Sequence, residues 1–116
     1  MSVLFPFGAA AQTVTLTAGG AQAVTINNMF LFIDGLTTAS TAARTINLTI
    51  GSGVRIGAVI VVSTKSANAT TGNRDLIFGT GITADKITPA QNKDAYQAFF
   101  YDGTGFVPMG AHYVAT

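Results

Sequence analysis

From residue 13 onward the chain alternates apolar and polar side chains with a period of two, the pattern of strands that bury one face. TVTLTA (13–18) sets Val14, Leu16 and Ala18 against three threonines. After the turn signal Gly19–Gly20, QAVTIN (22–27) resumes the alternation, which predicts a hairpin. RTINLTI (44–50) is the clearest half-buried strand, with Ile46, Leu48 and Ile50 inward and Thr45, Asn47 and Thr49 outward. RDLIFGTG (74–81) is short and closed by glycines. AYQAFFYD (95–102) and FVPMG (106–110) read as a hairpin across Asp102, Gly103 and Gly105, which tolerate positive φ, and AHYVAT (111–116) as a last short strand. The stretches 36–43 and 64–73 read as polar surface loops. ITADKITPAQNKD (82–94) is charged enough for a helix, but Ile82, Thr83, Ile87, Thr88 and Pro89 predict an edge strand or irregular turn.

Three segments do not alternate. MFLFID (29–34), VRIGAVIVVS (54–63) and AYQAFFYD (95–102) carry large apolar side chains on both faces. About eight short strands with turn signals between them predict an all-β domain, an antiparallel β-sandwich or jelly-roll-like fold with little or no helix. In such a fold one face of each strand meets water, so Met29 to Ile33, Ile56 to Val62 and Tyr96 to Tyr101 require a second cover. A closed barrel, an N-terminal arm or neighbouring copies would supply it, and self-association is the leading expectation. The domain spans 13–116. Residues 1–12 form the arm, whose Val3, Leu4, Phe5 and Phe7 are the candidate interface residues, folded back on their own domain or docked on another subunit.

Composition narrows the function. At 116 residues there is room for one domain and one core. Charged residues make up 9%, against about 25% in a typical soluble domain, and threonine (17 residues) takes their place. A net charge of +1, with Arg44, Arg55, Lys65, Arg74, Lys86 and Lys93 scattered, gives no basic stripe for nucleic acid. The absence of cysteine removes disulfides and thiol chemistry. The start, MSVLFPFG, has no basic n-region, and no apolar run approaches 18 residues, so neither a secretory signal nor a membrane span is expected.

Candidate chemistry is sparse, and no catalytic, cofactor-binding or metal-binding residue is assigned. His112 is the only histidine, and Asp34, Asp75, Asp85, Asp94 and Asp102 are the only carboxylates, four of them in or beside turns where aspartate bonds the backbone. NRD (73–75) and YDG (101–103) each offer at most two calcium ligands. GSGVRIG (51–57) is followed by a strand, not the helix that a dinucleotide loop needs. Of the aromatics, Tyr96, Tyr101 and Tyr113 are candidates for stacking on sugar rings.

The order of the second half, from a strand ending VIVVS through LIFGTGIT (76–83) to AFFYDGTGFVPMG (98–110), resembles a module of bacteriophage virion proteins, chiefly head-decoration and head-fibre subunits and some tail-fibre domains. The resemblance covers roughly residues 54–110. Phe100, Tyr101, Asp102, Gly103, Thr104, Gly105, Phe106 and Val107 follow the order of its terminal hairpin, with Phe106 where tryptophan is common. It implies a non-enzymatic virion subunit, often threefold, assembled in the host cytoplasm. Its partners would be copies of itself and other virion proteins such as the major capsid protein. The alternative is a carbohydrate- or host-receptor-binding domain of a tail fibre.

Overall fold

A computed structural model of the chain describes residues 12–116, which form nine strands and a single 3-10 turn at Thr71–Arg74. The strands are β1 (Gln12–Thr15), β2 (Gly20–Ile26), β3 (Phe30–Asp34), β4 (Arg44–Ile50), β5 (Val59–Thr64), β6 (Leu76–Phe78), β7 (Ala95–Tyr101), β8 (Phe106–Pro108) and β9 (Tyr113–Val114). They make two sheets. The larger runs β1-β3-β5-β7-β8, with β9 also paired to β7, and the smaller runs β2-β4-β6.

The protein is all-β, but the expected antiparallel order is overturned for its first six strands. β1, β3 and β5 are parallel to one another, as are β2, β4 and β6; only β7, β8 and β9 add antiparallel pairs. The predicted 13–18/22–27 hairpin does not form, because β1 and β2 belong to different sheets. Parallel neighbours need a long crossover between them, usually a helix. Here each crossover is a strand of the opposite sheet, so the chain winds back and forth through three turns before β7 reverses direction. The 95–102/106–110 hairpin does form, closed by an Asp102 carboxylate that accepts the Thr104 (2.8 Å) and Gly105 (3.0 Å) amides. Gly103 there adopts a φ of 101°, which a side chain would resist.

The inner faces of both sheets supply one core. Val24, Ile26, Ile46, Leu48, Leu76 and Phe78 of the small sheet share it with Leu31, Ile33, Ile60, Val62, Ala95, Phe99 and Phe106 of the large one. Phe78 and Phe99 meet edge to face across the two sheets, with centroids 5.0 Å apart. Each such buried aliphatic or aromatic side chain contributes about 2 kcal/mol.

Arg44 joins the successive turns at one corner. Its guanidinium is buried and donates to the carbonyls of Thr17 (3.0 Å), Thr38 (2.8 Å), Gly35 (2.7 Å) and Lys65 (3.3 Å) and to the Thr64 hydroxyl (3.0 Å). These acceptors follow β1, β3 and β5 in turn, so one side chain binds three layers. Burial lowers the guanidinium from its ordinary pKa, and the Asp34 charge opposes that. Gly35 is required here, since a Cβ would strike the Ser63 carbonyl and the Arg44 side chain. Beside it the 36–43 loop is not merely superficial: Ser40 is buried and bridged to Ser66, which bridges Gln91.

The two ends of the winding are closed differently. At the far end Leu76 of β6 exchanges backbone hydrogen bonds with Ile87 (2.8 and 3.0 Å), so 82–94 is irregular, as expected, and backs the small sheet. At the near end two glutamines stand in for a missing strand. The Gln22 carboxamide accepts the Thr17 amide (2.9 Å) and donates to the Thr15 carbonyl (3.2 Å) on the free edge of β1. The Gln12 carboxamide does the same on β2, accepting the Asn27 amide (3.0 Å) and donating to the Thr25 carbonyl (2.8 Å). Each imitates the peptide group of one residue in a neighbouring strand, which blunts an edge otherwise open to pairing.

Candidate functional site

The three segments that do not alternate become neighbours: β3, β5 and β7 form the centre of the large sheet. Register sets their outward side chains in rows across the strands. The first row is Phe30, Val59, Phe100 and Val107. The second is Thr13, Phe32, Val61 and Ala98, continued by Met109, whose amide donates to the Ala98 carbonyl at 2.9 Å. The third holds Thr15 and Asp34 on one side and Tyr96 and Tyr113 on the other, with Ser63 between them fully buried, its hydroxyl donating to the Ile33 carbonyl at 3.1 Å.

The first two rows carry no charge, and Thr13 is their only polar side chain. Their inner-face neighbours Leu31, Ile33, Ile60, Val62 and Phe99 are fully buried, whereas Phe32, Val59, Val61, Ala98 and Val107 are half-buried and Phe100 is 37% exposed. Ile56, which lies over Gly103, is 71% exposed, and Met109 is 55% exposed. Parallel strands in folded proteins are normally covered on both faces and read as continuous apolar runs. β3 and β5 have that composition with only one face fully buried.

The third row is polar and ordered. Asp34 accepts the Thr37 hydroxyl and the Leu36 (2.8 Å) and Thr37 (3.1 Å) amides; the Thr37 hydroxyl is the main cause that holds its carboxyl below the ordinary value. Tyr96 donates to Asp94 Oδ2 at 3.2 Å, and Asp94 Oδ1 pairs with Lys65 Nζ at 3.5 Å. Away from this face, Asp75 is buried and accepts Thr88 Oγ1 (2.6 Å) and Lys86 Nζ (3.0 Å). Burial works to raise its pKa, but the hydrogen bonds from Thr88 and Lys86 and the charges of Lys86 and Arg74 outweigh it, so the carboxyl stays below its ordinary value.

The three tyrosines named as candidates for sugar stacking do not share one face. Tyr96 and Tyr113 are cross-strand partners with near-parallel rings, centroids 6.3 Å apart. Tyr101 faces the other side, against Phe106 at 5.3 Å with its hydroxyl donating to the Gly103 carbonyl, apart from Tyr96 and Tyr113. Val3, Leu4, Phe5 and Phe7 lie outside the described residues. His112 lines a shallow cavity of about 210 Å³ with Asp85 and Gln97, and the lining contains no hydroxyl or thiol to serve as a nucleophile. Among the described residues no three of His, Cys, Asp and Glu gather as metal ligands, and no helix is long and apolar enough to cross a membrane. Sequence reasoning did not single out Met109 or the internal role of Arg44; a cation flanked by small and hydroxylated residues in TAARTI was the only trace of the latter. No family model matches this chain, and no curated protein matches it.

Proposed function

We propose that this chain is a non-enzymatic structural subunit that acts by self-association through the outer face of its large sheet. The observation that carries the reading is the pair of uncharged rows on β3, β5 and β7, which leave hydrocarbon partly exposed beside a fully buried inner face. Covering such a face removes apolar area from water at about 25 cal/mol per Å², with no charge to desolvate. Specific docking is thereby favoured over a wetted surface.

The setting we propose is a bacteriophage virion, as a capsid-associated decoration or head-fibre subunit, a trimer contacting the major capsid protein or another virion protein. Support for that setting is the sequence resemblance over 54–110, whose terminal hairpin text coincides with the β7–β8 hairpin. Val3, Leu4, Phe5 and Phe7 are proposed as a second contact, and deleting residues 1–8 is expected to lower particle occupancy. Light scattering on the purified chain tests the central part: a mass that is a multiple of 11.9 kDa is expected, three-fold for the trimer, and a single-chain mass at every concentration overturns it.

A further inference from the structure

Along the large sheet the apolar rows give way to a corner holding Tyr96, Tyr113, Asp94 and Lys65. We propose that this corner is a carbohydrate-binding site, with the exposed Tyr113 ring stacking on the C–H face of a pyranose and the Asp94–Lys65 pair binding its hydroxyls. The β7–β9 register stacks the Tyr96 ring against that of Tyr113, centroids 6.3 Å and planes 23° apart, which orients the outer ring. Tyr113 is 61% exposed and Tyr96 36%, unlike Phe99 and Phe106, which are fully buried.

The polar half of the site is built for hydroxyls. Asp94 accepts Tyr96 through Oδ2 and faces Lys65 through Oδ1, and a carboxylate has about four acceptor positions, so capacity remains. The ammonium brings three donors. Both side chains keep over a third of their surface in water, where a 3.5 Å ion pair adds little stability, so fold stability does not explain their place beside the rings. The pair is neutral overall, which suits an uncharged sugar better than a phosphate. The corner stands about 13 Å along β7 from Phe100, clear of the apolar rows that the self-association reading uses.

NMR titration of the full chain, labelled with ¹⁵N, with the methyl glycosides of glucose, galactose, mannose and N-acetylglucosamine tests the proposal. At least one glycoside is expected to give saturable shifts at millimolar concentration, centred on the amides of 94–96 and 113–115. Tyr113→Ala should weaken that binding by about tenfold or more, and Asp94→Ala should weaken it too, with the remaining amide spectrum unchanged. Tyr113→Trp should retain it. No saturable shift with any of the four, or shifts that survive Tyr113→Ala unaltered, overturns the site.

Discussion

On the small sheet the side chains pointing away from the core are Ala21, Ala23 and Thr25 on β2, Thr45, Asn47 and Thr49 on β4, and a single large apolar one, Ile77, on β6; in the two apolar rows of the large sheet they are Phe30 and Phe32 on β3, Val59 and Val61 on β5, and Ala98 and Phe100 on β7. The two sheets share a parallel core, a connection pattern and a common interior. Threonine and valine are both β-branched and suit strands about equally, so strand formation does not account for the difference. Solvation does. The small sheet presents mostly small and polar side chains, with the Asn47 side-chain carbonyl accepting the Thr80 amide at 3.0 Å, whereas the large sheet presents two uncharged rows that the proposed self-association would cover. The same winding has made two faces of different polarity.

The most damaging change is one that loosens both sheets at once. Arg44→Met strands the carbonyls of Thr17, Gly35, Thr38 and Lys65, and is expected to cost about 3–5 kcal/mol in urea unfolding. A loss below about 1 kcal/mol would show that the three turns do not depend on this cation. Next comes a change that separates the faces. Phe100→Asp puts a charge in the first apolar row and should weaken self-association by about 100-fold, roughly 3 kcal/mol, with folding nearly intact by circular dichroism. Thr49→Asp, its counterpart on the exposed small-sheet face, should leave association unaltered.

The winding that creates these faces was only partly legible in the sequence. Alternation located β4 well and named Ile46, Leu48 and Ile50 as inward; the first two are buried and Ile50 is partly so, packed against the core, while the turn signal at Asp102–Gly105 located β7 and β8. The unalternating segments correctly marked the strands with two apolar faces. Partnership was not readable, because period two says which side of a strand is inside and nothing about its neighbour. Gly19–Gly20 looks like a hairpin turn, yet the chain there crosses to the opposite sheet, since Leu16 donates its amide to Asp34 of the following layer (2.8 Å) and Gly20 donates to Ala43 (3.1 Å). Among the candidate site residues, Tyr96 and Tyr113 are adjacent only because β9 pairs with β7, a contact between residues 17 positions apart that no local pattern encodes.

Acid provides a smaller perturbation that acts on loops rather than faces. Asp75 and Asp34 both have carboxyls held below their ordinary value of 3.8 in the folded state. Their contribution is therefore complete above that pH and is lost as pH falls from 3.8 through the lower folded-state values. Thermal midpoints should be flat just above this window and decline within it, and Asp75→Asn should reduce the decline. The smallest effect is expected at the near edge: Gln12→Ala and Gln22→Ala should each cost about 1 kcal/mol and increase edge-to-edge aggregation by light scattering. An unchanged aggregation rate would leave the carboxamides as hydrogen bonds without a protective role.

Because the chain has no cysteine, a single introduced thiol can report which face is covered. Val61→Cys on the large sheet and Thr45→Cys on the small one, each half-buried in the single chain, should be labelled with a maleimide across a dilution series. The expected result is that Cys at 61 becomes progressively protected as protein concentration rises while Cys at 45 keeps a constant rate. Equal and concentration-independent labelling at both positions would contradict self-association through the large sheet.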